Sequence, residues 1–320
     1  MKTLRYLNVC FVGVGSIATR HIRNLYQICK ERDITLTIDI YRSGNGKALA
    51  PDIQVKIRNV FYELSEVLDT YDCIFITNPT EMHIDTLYDF HNKSKNFFIE
   101  KPIVSFEKRH DAMRFPYRAD SIYYVACPLR YTDVIRYVEK NIELAKVRSV
   151  RCICSSYLPE WRPETDYSKS YSARKELGGG VSIDLIHEWD YIQYLFGQPD
   201  EIKCFVDKIS SLNITSDDIA IYIAKYSDKY VELHLDYFGR KNIRIMELYT
   251  EDDTIVCDLE LNKIEYLRNK KIVKFKEERD DYQRSEIKTF LNLMTGSKEK
   301  YNSAKDACFT LGLTRGEIIT

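Results

Sequence analysis

The chain of 320 residues lacks an excess of charge of either sign and has no long apolar run. Its 47 Lys and Arg residues nearly balance its 48 Asp and Glu residues, for a formal net charge of −1. This balance argues against nucleic acid or an anionic membrane surface as a partner. No segment approaches the ~20 consecutive apolar residues of a membrane-spanning helix. Residues 1–6 lead directly into an apolar run, so we expect no signal peptide and a cytoplasmic protein.

The sequence also lacks a Cys-x-x-Cys pair, an internal repeat and any low-complexity linker. Its nine cysteines are odd in number and lie mostly in apolar, strand-like segments. Cys152 and Cys154 alternate along one such segment and would face the same side of a strand. We therefore expect buried, reduced thiols rather than disulfides.

Residues Gly13–Ala18 form a G-x-G-x-x-A motif between the apolar run Leu7–Val12 and a segment of helical spacing. The first glycine permits a tight turn, and the second lets the backbone approach a pyrophosphate. The small third residue lets the helix pack closely on the strand, and free N–H groups at the helix start bind phosphate. The motif predicts a dinucleotide site formed by Gly13, Gly15, Ser16, Ile17 and Ala18.

The order of predicted elements divides the chain into two domains of α/β class. Residues 1–125 alternate strands with helices, which predicts a dinucleotide-binding Rossmann domain with a doubly wound parallel sheet. Residues 126–320 contain strand-like runs in succession, which predicts an α/β domain with a large, open, mostly antiparallel sheet and closing C-terminal helices.

The end of the second predicted strand decides between NAD and NADP. A carboxylate there binds the ribose hydroxyls of NAD, whereas an arginine binds the 2′-phosphate of NADP. Asp39 lies at about the expected distance from the glycines, but two more strand residues follow it. Arg42 and Ser43 lie at the predicted tip. The sequence therefore favours NADP, with NAD as the alternative.

Polar residues also follow the next two predicted strands of the first domain. Thr77 and Asn78, with His83 shortly after, follow one strand, and Glu100 and Lys101 follow the other. Carboxyl ends of parallel strands share one edge of the sheet, where ligands of such folds bind. We therefore predict that all five residues bind the cofactor at this edge.

Three consecutive glycines, Gly178–Gly180, precede another segment of helical spacing. On it, Asp184 and His187 lie three residues apart on one face, which Asp190 continues. A histidine that titrates near neutral pH, one turn from a carboxylate, is suited to proton transfer. The same pair would suit a metal, but no third ligand is spaced to complete a site, so no metal is predicted.

These motifs, in this order, resemble the glucose–fructose oxidoreductase/inositol dehydrogenase (Gfo/Idh/MocA) family over essentially the whole chain. The resemblance rests on the glycine motif, the Thr-Asn-Pro turn, the Glu-Lys-Pro tripeptide at 100–102 and the glycine triplet with its Asp and His. It implies a reaction that transfers a hydride between NAD(H) or NADP(H) and a hydroxyl or ketone carbon of a sugar. It also implies that Lys101 is the catalytic lysine and His187 its partner. The second domain, 126–320, is by this resemblance expected to bind substrate and to mediate oligomerisation.

The chain departs from the family pattern at one position. Many members have Asp-x-x-x-His after the glycine triplet, whereas Asp184 and His187 are separated by one residue fewer. His187 and Asp190 keep the His-x-x-Asp spacing of the family. Asp184 is retained as a candidate for the active-site aspartate.

Aromatic and basic residues are concentrated between 155 and 174, a stretch that looks like a branch of the family associated with bacterial nucleotide-sugar and cell-surface sugar pathways. Aromatic rings pack against sugar C–H groups, and arginines pair with phosphate or carboxylate. A solvated loop is the alternative. The predicted substrate-binding residues in this stretch are Trp161, Arg162, Tyr171 and Arg174. Arg130, at the domain junction, and Asp184 and His187 complete the predicted set.

The leading hypothesis is therefore an NAD(P)-dependent sugar oxidoreductase. Two alternatives remain: a non-catalytic dinucleotide-binding sensor or repressor, and an NAD-dependent glycoside hydrolase. A homodimer or homotetramer is expected, because a sheet face carrying Tyr222, Tyr226, Tyr230 and Tyr237 favours self-association if it is exposed.

Overall fold

A computed structural model describes residues 4–44 and 48–318 of the chain. The chain divides into two compact units, and neither is continuous in sequence. The first comprises Met1–Cys127 and Gln283–Cys308, and the second comprises Pro128–Tyr282 and Phe309–Thr320. The main boundary lies two residues after the predicted one. Residues 283–308 differ from the prediction, because they pack with the first unit.

The first unit contains a parallel sheet, for which the described residues supply six strands in the order β3-β2-β1-β4-β5-β6. The central strands are apolar runs buried on both faces, as expected for a parallel sheet covered by helices. The strands are β1 Tyr6–Val12, β2 Thr35–Tyr41, β3 Ile57–Phe61, β4 Cys73–Ile76, β5 Asn96–Ile99 and β6 Ile122–Val125. The helices are α1 Ser16–Glu31, α2 Pro51–Gln54, α3 His83–Phe90 and α4 Arg109–Arg114.

The second unit contains a mostly antiparallel sheet whose described strands are ordered β14-β13-β12-β11-β7-β10-β9-β8. The pair β7–β10 is parallel, and the remaining neighbours are antiparallel. The strands are β7 Val147–Tyr157, β8 Glu201–Asp207, β9 Ile219–Lys225, β10 Tyr230–Asp236, β11 Phe238–Thr250, β12 Thr254–Asp258, β13 Lys263–Tyr266 and β14 Lys271–Lys274. The helices that follow β6 are α5 Asp133–Asn141, α6 Val181–Asp184, α7 Ile186–Phe196, α8 Arg279–Met294 and α9 Ala304–Leu313. The two sheets confirm the predicted α/β fold class.

The part of helix α8 that belongs to the first unit packs into an aromatic cluster. Phe290 is fully buried, and its ring centroid lies 5.5 to 5.8 Å from those of Phe75, Phe98 and Tyr124. On the same helix, Glu286 accepts a hydrogen bond from the backbone N–H of Cys127 at 2.5 Å. These contacts explain why residues 283–308 belong to the first unit.

One face of the second sheet is buried and the opposite face is exposed. In β9, buried Ala220, Tyr222 and Ala224 alternate with exposed Ile221 and Ile223. Such alternation marks a sheet covered on one side.

The tyrosines expected on the exposed face divide between the two faces. Tyr222, Tyr226 and Tyr237 are buried, whereas Tyr230 is 52% exposed. The prediction that these tyrosines share an exposed face is therefore wrong for three of the four.

All nine cysteines are free, and eight of them are buried, as expected. No helix in the described part of the chain is both long and apolar enough to cross a bilayer.

Candidate functional site

The glycine motif joins the end of β1 to the N-terminus of α1. Gly13 has φ of +78°, a left-handed conformation, and a Cβ there would lie 2.6 Å from the Asn78 Cα atom. Gly15 is the N-cap of α1 and has no side chain that could cap the first N–H groups of the helix. A Cβ on Gly15 would meet no heavy atom within 4 Å. The open space and the uncapped N–H groups fit a phosphate of a dinucleotide.

The first residues of α1 match their predicted positions in the motif. Ser16 is exposed at the start of the helix, and Ile17 is half-buried. Ala18 is fully buried, as close packing of the helix requires.

The ends of β1, β4 and β5 are in register. Val12 pairs with Ile76, and Ile76 pairs with Ile99, so the residues that follow these strands lie along one edge of the sheet. The Thr77 hydroxyl donates to the Gly13 carbonyl at 2.7 Å and lies 3.1 Å from the Val12 carbonyl. The loop of the glycine motif is thereby tied to the end of β4.

His83 connects two loops at this edge. Its side chain is 1% exposed, Nε2 lies 3.0 Å from the Asn78 carbonyl, and Nδ1 lies 3.2 and 3.0 Å from the carbonyls of Pro102 and Ile103. Burial lowers the pKa of His83, against the opposing effect of these carbonyls. His83 therefore links Asn78 to the loop after Lys101, and its cofactor contact stays a prediction.

Glu100 and Lys101 follow β5 directly. Oε1 of the Glu100 carboxylate lies 2.5 Å from His21 Nε2. Oε2 of the same carboxylate accepts a hydrogen bond from the backbone N–H of Lys101 at 3.2 Å. Lys101 is half-buried and precedes a cis peptide bond to Pro102. The predicted catalytic lysine thus lies at the same edge as the glycine motif.

The structure resolves the role of Asp39 in β2. Its carboxylate is fully buried and accepts hydrogen bonds from Arg58 Nε at 2.9 Å and from the Tyr71 hydroxyl at 3.0 Å. The hydrogen bond to Asp39 raises the pKa of Arg58. These groups engage both oxygens of the Asp39 carboxylate within the first domain. Arg42 and Ser43 follow β2 at its carboxyl end, as predicted. The backbone N–H of Arg42 donates to the Phe61 carbonyl at 3.1 Å.

The glycine triplet packs against the protein itself. A Cβ on Gly179 would lie 2.0 Å from the Tyr171 carbonyl oxygen. Gly180 has φ of +138°, and a Cβ there would lie 2.4 Å from Asp217 Oδ1. Asp217 in turn accepts the backbone N–H of Ser182 at 2.9 Å. The glycines therefore hold the start of α6 against the chain, rather than approaching a ligand.

The segment from 181 to 196 contains two helices rather than the continuous helix that the spacing predicts. Helix α6 ends at Asp184, Leu185 has φ of −96° and ψ of 28°, and α7 begins at Ile186. His187 is half-buried in the first turn of α7, and Asp184 is half-buried at the end of α6. The break lies between Asp184 and His187, where the chain is one residue shorter than the family pattern.

Trp161, Tyr237 and Asp184 form a contiguous group in the second unit. The Trp161 ring packs edge-on against the Tyr237 ring, with centroids 5.3 Å apart, and the Tyr237 hydroxyl donates to Asp184 Oδ2 at 2.6 Å. Burial, with the charge of Asp184, raises the pKa of Tyr237. Tyr237 is absent from the predicted site. Tyr237 continues the two-residue spacing of buried Val231 and Leu235. This spacing is the sequence signal that indicates the buried face of the second sheet.

The other predicted substrate residues differ in exposure. Arg130 is buried, and its Nε and Nη2 donate to the two carboxylate oxygens of Asp190 at 2.7 and 2.6 Å. This ion pair fixes the Arg130 side chain, and its substrate contact stays a prediction. Tyr171 donates its hydroxyl to the Gly178 carbonyl at 2.7 Å. Arg162 is exposed, and half-buried Arg174 lies 3.8 Å from a Glu176 oxygen.

Within residues 4–44 and 48–318, no cluster of three or more His, Cys, Asp or Glu side chains is arranged to hold a metal ion.

Two family models match the chain. One, described as an oxidoreductase family with an NAD-binding Rossmann fold, matches residues 7–125, and the other, described as the GFO/IDH/MocA C-terminal domain, matches residues 135–256. The chain belongs to the GFO/IDH/MocA family. The match confirms the resemblance inferred from the motifs and an NAD-binding type of first domain.

Curated relatives of this GFO/IDH/MocA chain include the 2,7-anhydro-N-acetylneuraminate hydratases of Mediterraneibacter gnavus and Escherichia coli. They are 24% identical over 204 residues and 23% identical over 197 residues. These matches cover 63% and 61% of this chain but 52% and 51% of the relatives, so the chain spans about half their length.

Solved structures share the fold over nearly the whole chain. Levoglucosan dehydrogenase in complex with NADH has a TM-score of 0.82 at 14% identity, over 98% of this chain and 96% of that one. UDP-N-acetylglucosamine 3-dehydrogenase from Acidithiobacillus ferrooxidans has a TM-score of 0.77 at 16% identity, with the same coverage of both chains. At these identities the likeness shows the fold.

Alanine is expected to weaken dinucleotide binding in the first glycine motif and to lower thermal stability in the glycine triplet. For Gly15→Ala we expect unchanged thermal unfolding, because the new Cβ meets open space, but at least about tenfold weaker NADH and NADPH binding in fluorescence titrations. For Gly179→Ala we expect lowered thermal stability, because its Cβ would overlap the Tyr171 carbonyl. Unchanged dinucleotide affinity in Gly15→Ala would contradict the proposed phosphate site.

Proposed function

We propose that this protein catalyses the interconversion of a sugar hydroxyl and a ketone with NADP(H) or NAD(H). The observation that carries the proposal is the register of β1, β4 and β5, which aligns the phosphate-binding loop with Lys101 along one sheet edge. The family match to an NAD-binding oxidoreductase supports it.

Oxidation of a secondary alcohol releases a hydride and a proton. Bound NAD(P)⁺ supplies the hydride acceptor. Lys101 accepts the hydroxyl proton, which it returns when the reaction runs in the opposite direction. His187, on the first turn of α7, exchanges a proton with solvent or shares this acid–base role.

The group formed by Trp161, Tyr237 and Asp184 supplies sugar-binding chemistry. Trp161 is 39% exposed, so its ring offers an apolar face to sugar C–H groups. The Asp184 carboxylate accepts hydrogen bonds from sugar hydroxyls. Arg162 and Arg174 provide cations for a phosphate or carboxylate, as a nucleotide sugar or cell-surface sugar precursor requires.

The role of Lys101 is tested with Lys101→Met. We expect turnover to fall by about 10²- to 10⁴-fold, because the proton acceptor is lost, while NAD(P)H affinity stays within about threefold. Wild-type protein is first screened against sugars and nucleotide sugars by following reduced cofactor. Lys30→Met, a change at an exposed lysine of α1, is the control. Full activity in Lys101→Met would contradict the assignment. Loss of cofactor binding would instead indicate that Lys101 has a structural role.

We also propose that NADP is preferred over NAD. Arg42 lies at the end of β2, and Asp39, the nearby strand carboxylate, is occupied by Arg58. An arginine at this position pairs with a 2′-phosphate.

This preference predicts that Arg42→Ala weakens NADPH binding about tenfold or more and leaves NADH binding nearly unchanged. The measurement is a fluorescence titration with both dinucleotides side by side. Arg5→Ala, at the amino end of β1, is the matched control because it lies at the opposite edge of the sheet. Equal losses for both dinucleotides would disprove recognition of the 2′-phosphate.

A second candidate is a reaction without net oxidation, for which a dinucleotide held at the glycine motif would supply a transient hydride acceptor. The names of two curated relatives favour it, because a hydratase adds or removes water without net redox change. Product formation without accumulation of NAD(P)H, in protein that retains dinucleotide through purification, distinguishes it from the dehydrogenase.

The exposed face of the second sheet supports self-association. Ile223 is 53% exposed, Ile221 38% and Phe205 75%, and all three lie on the neighbouring strands β8 and β9. Apolar side chains grouped on an open sheet face indicate a protein–protein interface.

We therefore expect a homodimer or homotetramer in solution. Ile223→Glu should shift it toward monomer, because a charge would be desolvated in the interface. Light scattering coupled to size-exclusion chromatography, at several concentrations, measures the mass. Tyr26→Glu, at an exposed position of α1, is the control. A monomeric wild-type protein would overturn this expectation.

A further inference from the structure

Arg315, which follows the last helix, α9, is a residue of the second unit that the sequence motifs leave without a role. The backbone on either side of it is fixed. The Tyr222 hydroxyl of β9 donates to the Thr314 carbonyl at 3.0 Å. A Cβ on Gly316 would lie 2.8 Å from the Cys204 Sγ atom of β8. The turn that carries Arg315 is therefore held against two strands of the second sheet.

The Arg315 guanidinium binds two residues at the start of the second unit's short helix α6. Its Nη1 donates to Ser182 Oγ at 2.9 Å, and its Nη2 donates to Asp217 Oδ1 at 3.1 Å. Asp217 Oδ2 accepts the Ser182 backbone N–H at 2.9 Å, and the Asp217 carbonyl accepts the Val181 N–H at 2.9 Å. The planar guanidinium fixes both of its acceptors at once. Arg315 thereby anchors Asp217, and Asp217 holds the first turn of α6.

The segment that contains Asp217 also contacts the tyrosine of the group formed by Trp161, Tyr237 and Asp184. The carbonyl of Asp218 accepts the Tyr237 backbone N–H at 3.0 Å. Asp184 is the last residue of α6, and its Oδ2 accepts the Tyr237 hydroxyl at 2.6 Å. Two consecutive residues, 217 and 218, therefore position both members of the Asp184–Tyr237 pair.

Helix α6 depends on these contacts because it has only four residues. A single helical turn has little stability of its own, since few hydrogen bonds offset the entropy of ordering it. The Asp184 N–H donates to the Gly180 carbonyl at 2.9 Å, so the Asp184 backbone belongs to the turn that Asp217 holds. Movement of Asp217 would therefore move the Asp184 carboxylate.

We propose that Arg315 is a positioning residue for the Asp184 carboxylate and acts on it through Asp217. The inference rests on the proposed function for the contact between Asp184 and a sugar hydroxyl. Its physical content, the dependence of α6 on Arg315, is independent of substrate.

The first test follows hydrogen–deuterium exchange of the backbone amides of residues 181–185 by mass spectrometry, without sugar or cofactor. In Arg315→Met we expect these amides to exchange about tenfold faster, because a one-turn helix that loses its anchor opens more often. The amides of β2, in the first unit, should exchange as in the wild type. Unchanged exchange at 181–185 would overturn the proposal, and so would equal acceleration in β2, which would indicate a general loss of stability.

The second test separates KM from kcat for the sugar or nucleotide sugar that the wild-type protein oxidises best. In Arg315→Met we expect KM to rise about tenfold and kcat to stay within about threefold, because a displaced carboxylate weakens binding of substrate and transition state alike. NADPH affinity should stay within about twofold, because the dinucleotide motif lies in the first unit. Faster exchange with an unchanged KM would also overturn the proposal.

Arg148→Met is the matched control, because it breaks an exposed ion pair in the same unit. Arg148 Nε donates to Glu251 Oε1 at 3.1 Å, and both side chains are about half exposed. Exposed pairs contribute little to stability, so amide exchange and KM should both match the wild type.

A double variant separates positioning from the effect of an unpaired charge. In Arg315→Met the Asp217 carboxylate, 10% exposed, loses its cation. Adding Asp217→Asn removes that charge but does not restore the anchor, so amides 181–185 should still exchange faster. Wild-type exchange in the double variant would refute the proposal. If Arg315→Met fails to fold by circular dichroism, Ser182→Ala decides, with about threefold faster exchange expected from the loss of one hydrogen bond and an unchanged rate contradicting the proposal.

Failure of the proposed function gives a different result. If the wild-type protein oxidises no sugar, amide exchange in Arg315→Met still reports whether Arg315 positions α6. If sugar oxidation is found but exchange is unchanged, the proposed function stands and the role of Arg315 is lost.

Discussion

The first domain depends on the close approach of two backbone segments, at Gly13 and Asn78. Because Gly13 has no side chain, the ends of β1 and β4 meet, and Thr77 bonds directly to the glycine loop. His83 then links Asn78 to the loop that follows Lys101. A Cβ at position 13 would displace Asn78 and, through it, each later member of this series of contacts. The geometry of the lysine is therefore set partly by a glycine on another strand.

Strand positions could be predicted from the sequence where burial dictates composition. The residue patterns of Thr35–Tyr41 and Val147–Tyr157 predict strands, and these ranges coincide with β2 and β7, because buried strands need continuous or alternating apolar residues. The prediction missed β3, β13 and β14, which lie at or near sheet edges. Edge strands carry polar residues against aggregation, as the lysines of β14 and Arg58 of β3 do, so their composition resembles that of loops.

In the candidate site, too, features set by adjacent residues could be predicted, whereas contacts between distant segments could not. Turn chemistry is local, so the glycine motif and the Glu100–Lys101 turn could be placed from sequence alone. The partners of buried polar groups come from distant segments, such as Asp217 beside Gly180 and Arg58 at Asp39. No spacing rule specifies such pairs. The role of the glycine triplet as packing, and the engagement of Asp39 by Arg58, therefore required the three-dimensional structure.

The return of residues 283–308 to the first unit has a consequence for biosynthesis. A ribosome releases the parallel sheet long before it releases α8, and until then Phe75, Phe98 and Tyr124 lack the Phe290 ring that covers them. Apolar surface exposed on a nascent chain attracts chaperones and promotes misassembly. The N-terminal domain therefore completes its core after the whole second sheet has been synthesised. Loss of the last 40 or so residues would therefore damage the domain that begins the chain as well as the second unit, to which Phe309–Thr320 belong.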